Sequence, residues 1–389
     1  MHICVISEDY PYKTFSSFEF VKQLCVAFAD NGITVSVVAP QSLTKNALGR
    51  HPYVPKIRTE ETLNGHKICI YCPYMFTLGN IPDKIGAGFI IDGIRRKAIA
   101  SAIKSMPSKP DVIYGHFWHS AYDAYGLAKK MSIPLFVASG ESEIMLHKKY
   151  DVRKIRNFTD YISGVICVST KNKKESVNSG LTKEEKCIVI PNAIDCSLFH
   201  KMDKLTVRKK FGYSPNDFIV AFVGSFITRK GPVRIVQAIS MLNDPDVKVM
   251  FIGKPISNDI SNIPECPGIV FRGPVPHAQL PDYLNCADVF VMPTLKEGCC
   301  NANIEAMACG LPIISSDLDF NYDILDESCS ILIDPMNVCA IADAIRYLKD
   351  NPEKRTELSL NAWHKAQKLK IETRAQKITD FINERTVQN

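Results

Sequence analysis

Two hydrophobic rhythms alternate along this chain. Short apolar runs at positions 2–7, 34–39, 67–72, 111–116, 134–139 and 164–169 read as strands buried on both faces. Val21, Leu24, Cys25 and Phe28 recur at helical spacing between the first two runs, behind Ser16 and Glu19 at capping-box spacing and ahead of Gly32. Strand, helix and strand in that order make a βαβ unit, so a parallel sheet with right-handed crossovers is expected. The same alternation resumes at 219–223, 247–252, 289–293, 313–316 and 331–334, with Val233, Val236, Ile239 and Leu242 as a helical stripe. Residues 41–66 are polar and aperiodic, a long loop or short hairpin, and residues 363–382 read as one long helix.

A length of 389 residues calls for two domains rather than one core. Apolar and charged shares of 46% and 23% suit a globular protein, and no apolar run reaches the ~18 residues of a membrane span. The opening residues lead straight into a strand rather than a signal peptide. Most of the 14 cysteines lie in apolar runs, as small buried hydrophobes of a reducing cytoplasm, and no C-x-x-C occurs, so no structural metal is expected. A net charge of +6 is compatible with anionic lipid or sugar nucleotides, while the absence of an aromatic–basic stripe speaks against a nucleic-acid binder. Residues 84–106 carry a basic amphipathic pattern that either lies on a membrane surface or packs on the sheet with a solvated basic side.

The chemistry concentrates in D-V-F-V-M-P-T-L-K-E-G-C-C-N-A-N-I-E-A-M-A-C-G-L-P-I-I-S-S-D, residues 288–317. It reads strand, loop, a helix over 303–309 stopped by Gly310 and Pro312, and strand. Unpaired amides at a helix start attract anions, so a diphosphate can sit over Asn301, Ala302 and Asn303. Glu305, expected in the first helical turn, can accept two hydrogen bonds from a ribose diol, and Glu297 faces whatever the diphosphate carries. Upstream, Gly224-Ser225-Phe226-Ile227-Thr228-Arg229-Lys230-Gly231 form a strand-to-helix loop bearing two adjacent cations, where a diphosphate also belongs. Arg229 offers a planar fork and Lys230 a point charge to a leaving phosphate. In the first half, His116 stands just past a strand end, where ligands meet open α/β sheets, with His119 the weaker candidate. Glu141 emerges at the same sheet edge.

The segment from Glu297 to Pro312 resembles the E-x7-E signature of family 4 retaining glycosyltransferases. That resemblance implies the α/β GT-B fold, two Rossmann-like doubly wound parallel-sheet domains facing a cleft. Further matches are Asp111-Val112-Ile113-Tyr114-Gly115-His116, which resembles D-V-I-H-x-H, and Pro191-Asn192-Ala193-Ile194-Asp195, which resembles the interdomain P-N-G-I-D. The implied domains are 1–195, an acceptor domain joined by a crossover helix at about 370–389, and 196–369, which holds the nucleotide sugar. The family's G-R-x…K-G carries over cleanly to Lys230; Ser225 stands at the usual arginine, and Arg229 sits beside the lysine. His116 is implied at the donor sugar, with Arg272 or Val275 near the base. The first loop lacks the usual glycines, which points Tyr10, Tyr12 and Lys13 toward the acceptor.

The implied activity is retaining transfer of a hexose-type sugar from a nucleotide diphosphate sugar, UDP favoured and GDP next, to a glycan or lipid-linked saccharide. No metal or other cofactor is implied, and Asp317-Leu318-Asp319 reads as a loop rather than a metal motif. The expected location is cytoplasmic, with peripheral contact at the inner membrane surface. The same fold also serves nucleotide-sugar 2-epimerases and non-catalytic nucleotide-binding scaffolds. Nucleotide release with and without an acceptor separates these readings.

Overall fold

A computed structural model of the chain describes residues 1–13, 17–49, 51–77, 88–153, 155–256 and 260–387. The chain forms two compact units, Met1–Ile190 with Ile371–Asn389, and Pro191–Lys370.

The first unit is built on an eight-stranded sheet in the order Cys187–Val189, Gly164–Cys167, Leu135–Ser139, Val112–His116, His2–Ile6, Thr34–Val38, Lys67–Tyr71, Ile57–Glu61. All neighbours are parallel except the last pair, an antiparallel hairpin whose first strand lies in the stretch expected to be loop or hairpin. The sheet interior is Ile3, Val5, Val37, Ile70, Ile113, Phe136 and Val165, all buried, as the apolar runs require. Strand order reverses between His2–Ile6 and Val112–His116, so the loops after those two strands open at a topological switch point. The C-terminal helix Ile371–Val387 belongs to this unit, with Phe381 against Phe136 at 6.1 Å between ring centres. A Cβ on Gly164 would lie 2.7 Å from Phe381, so only glycine lets that helix come so close.

The second unit carries a six-stranded, all-parallel sheet in the order Ile269–Gly273, Val247–Ile252, Phe218–Val223, Val289–Met292, Ile313–Ser316, Ser330–Ile333. Numbered within the unit this is 3-2-1-4-5-6, the dinucleotide-fold order, and its switch point lies between Phe218–Val223 and Val289–Met292. Asp288 fixes the register there. Its Oδ2 accepts the Ile219 N–H at 2.7 Å and pairs with the buried Arg208 at 2.6 Å.

Three expectations need correction or limits. The long helix over 363–382 is two, Pro352–Ala366 and Ile371–Val387, because the chain between them pairs with Ile194 instead of continuing the ladder: Ile194 N–H donates to Leu369 O at 2.8 Å. The basic amphipathic stretch is the helix Gly88–Lys104, and its residues 84–87 lie outside the described ones. Ile99, Ala102 and Ile103 pack into the core, and two of its cations fold inward, Arg95 and Arg96 each meeting Asp123 at 3.2 Å. Ser16 of the expected capping box also lies outside the described residues. The helix Glu19–Asp30 starts at Phe18, whose φ is 62° and which makes no side-chain cap.

Candidate active site

The loop after Phe218–Val223 is shaped by close backbone approach. A Cβ on Gly253 would fall 1.9 Å from Gly224 O, so the neighbouring strand passes only as glycine. Lys230 N–H closes a turn on Ile227 O at 3.0 Å, and Gly231 follows with φ +80°. A Cβ there would meet the Arg234 guanidinium at 2.4 Å and Pro293 O at 2.9 Å. Gly231 thus turns the chain into the helix Pro232–Leu242 and presents Arg229 and Lys230 at the switch point.

The loop after Val289–Met292 is tied to the first loop at several places. Leu295 N–H donates to Arg229 O at 2.8 Å. The buried Arg234 spans both loops, donating to Thr228 O at 2.9 Å and to Pro293 O at 2.6 Å. Within this frame Glu297, only 8% exposed, collects three donors on one oxygen. Its Oε1 is 2.8 Å from Arg229 Nη1, 2.5 Å from Lys230 Nζ and 2.9 Å from Thr294 Oγ1. Arg229 donates as well to Lys296 O. One carboxylate is therefore shared by two cations, leaving net positive charge at the mouth of the sheet.

The following helix spans Asn301–Ala308, two residues earlier than expected, with Cys300 as an N-cap whose side chain makes no capping bond. Two site readings change with it. The Asn303 amide is not open to a ligand, because it donates to Cys300 O at 3.1 Å. Its fully buried side chain instead donates to Ser315 Oγ and Asn321 Oδ1, both at 3.2 Å. The amides of Asn301 and Ala302 head the helix. Asn301 Oδ1 is held by Asn192 Nδ2 at 2.7 Å. Glu305 lies in the second turn, not the first, and does not join the cations: its Oε1 is 3.1 Å from His277 Nε2.

The upstream loop needs a similar correction. Gly224 N–H is spent on Ile252 O at 2.9 Å, so that amide cannot take a phosphate. Ser225 O accepts Ile227 N–H at 3.0 Å. Arg272 donates from Nη1 to Pro264 O at 2.7 Å and to Glu265. His277 belongs to none of the motifs read from the sequence. Its only signal there is its place after a strand end, in P-V-P-H.

His116 ends the strand Val112–His116 in the first unit and is 6% exposed among Phe18, Phe20 and Phe117. Burial, helped by the Arg374 cation, holds its imidazole down at about 3, so it is neutral at ordinary pH. Phe117 follows at φ 76°, and the helix Trp118–Met131 begins at once. Glu141 is neither a surface acid nor a free base. Its two oxygens accept the Trp118 N–H at 2.7 Å and the Gly140 N–H at 3.0 Å. Burial still pushes its carboxyl up to about 7, against those hydrogen bonds. Around the first-unit switch point lies a cavity of about 450 Å³ whose lining includes Asp9, Tyr10, Asn46, His51, Arg95 and Lys149. Tyr12 and Tyr10 both stack under Arg58, at 4.9 and 5.6 Å. His119 is held below its usual value by burial.

Among the described residues no cluster of three His, Cys, Asp or Glu is arranged to hold a metal ion. Asp317 accepts the Tyr322 hydroxyl at 2.9 Å. No helix among them is long and apolar enough to cross a membrane.

Comparison with known proteins matches both halves of the chain. Residues 203–365 match the model for glycosyl transferases group 1, and residues 19–198 that for glycosyltransferase family 4. A Bacillus subtilis (strain 168) protein named as a teichuronic acid biosynthesis glycosyltransferase, TuaC, is 28% identical over 64% of this chain and 65% of its own length, just under two thirds. A D-inositol 3-phosphate glycosyltransferase of Pseudarthrobacter chlorophenolicus is 22% identical over 90% of this chain and 85% of its own. Among solved structures, sucrose-phosphate synthase from Thermosynechococcus elongatus superposes with TM-score 0.79 at 19% identity, covering all of both chains. Anabaena HepE, solved with UDP and glucose, gives 0.70 at 15% identity over 99% of this chain and all of its own.

Proposed function

We propose that this chain, which belongs to the group 1, family 4 glycosyltransferases, moves a hexose-type sugar from a nucleoside diphosphate sugar to a saccharide or lipid-linked saccharide, with retention at the anomeric carbon. The observation that carries the reading is the Arg229–Lys230–Glu297 cluster at the second unit's switch point. A diphosphate gains negative charge as the glycosidic bond breaks. Arg229, Lys230 and the Asn301 and Ala302 amides are fixed dipoles and charges that stabilise it without reorganising. Glu305 accepts from the ribose diol. Glu297 orients both cations and faces the sugar. The leaving phosphate oxygen takes the proton of the attacking hydroxyl as that hydroxyl bonds to the anomeric carbon on the same face. His116, neutral at ordinary pH, offers a hydrogen bond to the donor sugar without adding charge.

The acceptor fits the first-unit cavity, whose mixed carboxylates, amides and cations suit a polyhydroxylated ligand. UDP is favoured over GDP, a choice supported by the nucleotide in the HepE structure. A cytoplasmic site is supported by the 14 free cysteines. Peripheral membrane contact falls on Phe89 and Ile90, 68% and 51% exposed at the start of the helix Gly88–Lys104. Loss of vesicle co-sedimentation in Phe89→Ser/Ile90→Ser tests that part. The core reading is tested by thermal shift and calorimetry with UDP, GDP and their sugars, followed by nucleotide release with and without saccharide acceptors. Failure of every nucleoside diphosphate to bind sinks it. Release that no acceptor stimulates, with the sugar's 2-position inverted, indicates an epimerase.

A further inference from the structure

Glu305 is the one acid of the signature that touches neither cation. It sits on the second turn of Asn301–Ala308, largely buried, with Oε1 3.1 Å from His277 Nε2. A carboxylate has no proton to give at this distance, so the ring nitrogen donates, whether the imidazole is the Nε2–H tautomer or the cation. His277 is itself placed by packing. Its ring lies 5.1 Å from that of Phe199, which is fully buried, and it opens the short turn His277–Gln279 that follows Pro276. Chain, ring and carboxylate are thus held in series from a rigid anchor.

We propose that His277 is a positioning residue that makes this pocket select a ribose diol. The inference rests on the reading of Glu305 as the diol acceptor. An unanchored glutamate samples several rotamers and must be ordered when a nucleotide binds. Pinning Oε1 removes that cost in advance and leaves Oε2 aimed at the two vicinal hydroxyls, a bidentate contact that a single or absent hydroxyl cannot complete. The ring also takes up one acceptor position on Glu305, so the carboxylate has less freedom to turn toward Arg229 and Lys230. Selectivity for the diol should therefore depend on His277 even though His277 touches no part of the nucleotide.

The test is calorimetric binding of UDP and 2′,3′-dideoxy-UDP to the full chain and to His277→Ala, His277→Gln and Glu305→Ala. GDP and its dideoxy form replace them if GDP binds tighter. The expected result is UDP binding about 2- to 10-fold weaker in His277→Ala, the cost of ordering one side chain. Dideoxy-UDP should be unchanged, so the preference for the diol shrinks by the same factor. His277→Gln, which keeps an N–H at comparable reach, should restore most of the preference. Equal weakening of both ligands in His277→Ala, or a full preference retained there, overturns the inference. If Glu305→Ala also keeps the diol preference, the assignment of Glu305 is wrong; if Glu305→Ala loses it while His277→Ala does not, only the role of His277 falls. Absence of binding by any nucleoside diphosphate sinks both.

Discussion

Replacing Glu297 by glutamine should tighten product binding while slowing turnover, a pair of effects with opposite signs. Glu297 Oε1 lies within 2.8 Å of Arg229 and 2.5 Å of Lys230, so its charge competes with any phosphate for both cations. A phosphate oxygen held by the same two groups would stand about 5–6 Å from the carboxylate. At an effective dielectric near 20 that repulsion is about 3 kcal/mol per charge pair. Arg229 is about a third exposed, so solvent and salt reduce it to about 1–2 kcal/mol. Glu297→Gln keeps the Thr294 hydroxyl as a donor to its side-chain oxygen but loses the negative charge. UDP should then bind about 5- to 30-fold tighter by calorimetry, with the gain shrinking as salt rises. Without ligand the variant should be less stable, by about 2 kcal/mol, because the two cations face each other with no counter-ion. A melting point lowered by about 4–8 °C and restored by saturating UDP would show this. Donor turnover should fall by about 100-fold as the cations lose their common orienting partner. UDP affinity that drops or stays the same in Glu297→Gln would refute the argument, because it would mean that the carboxylate does not compete for the cations.

Lys230→Ala removes a charge-assisted contact to the diphosphate. UDP affinity should fall about 10- to 100-fold, with uridine affinity unchanged in the same titration. Gly231→Ala forces a side chain into φ +80° and against the Arg234 guanidinium and Pro293 O; a loss of about 2–4 kcal/mol in denaturant unfolding is expected. His116 should make the fold acid-sensitive. Its folded value of about 3 lies below the unfolded 6.5, so its contribution is complete above pH 6.5 and is lost as pH falls toward 3. Between pH 7 and 5 the wild type should lose about 2 kcal/mol more than His116→Gln, measured by urea unfolding at both values.

The strands were legible because a strand buried on both faces has no polar alternation to hide it. Val289, Phe290, Val291 and Met292 are fully buried and form one unbroken apolar run. The end of the last helix pair was not legible. No proline or glycine interrupts residues 363–382; the break comes from Ile194, some 170 positions away in sequence, capturing Leu369 O. Helix starts suffered from the same gap between rule and contact. The expected start at Asn303 falls two residues late, because the cap is Cys300, with no side-chain bond to mark it.

At the site, charge spacing revealed the groups but not their pairing. Arg229, Lys230 and Glu297 were expected near one diphosphate, and the structure adds that they meet on a single oxygen. Glu305 was expected on the helix, with a role apart from that of Glu297, but its partner was not legible, because it faces a different strand end. There Ile269–Gly273 delivers His277 through two prolines, and a lone histidine after prolines has no periodic signature. The two acids therefore divide the work by what each opposes. One is held between two cations and the other by an imidazole; under the proposed function the first answers to the charge of the leaving group and the second to the hydroxyls of the ribose. Their places differ accordingly: Glu297 lies on the loop ahead of Asn301–Ala308 and meets Arg229 and Lys230, whereas Glu305 lies on the second turn of that helix and meets His277, so the two carboxylates do not compete for the same cations.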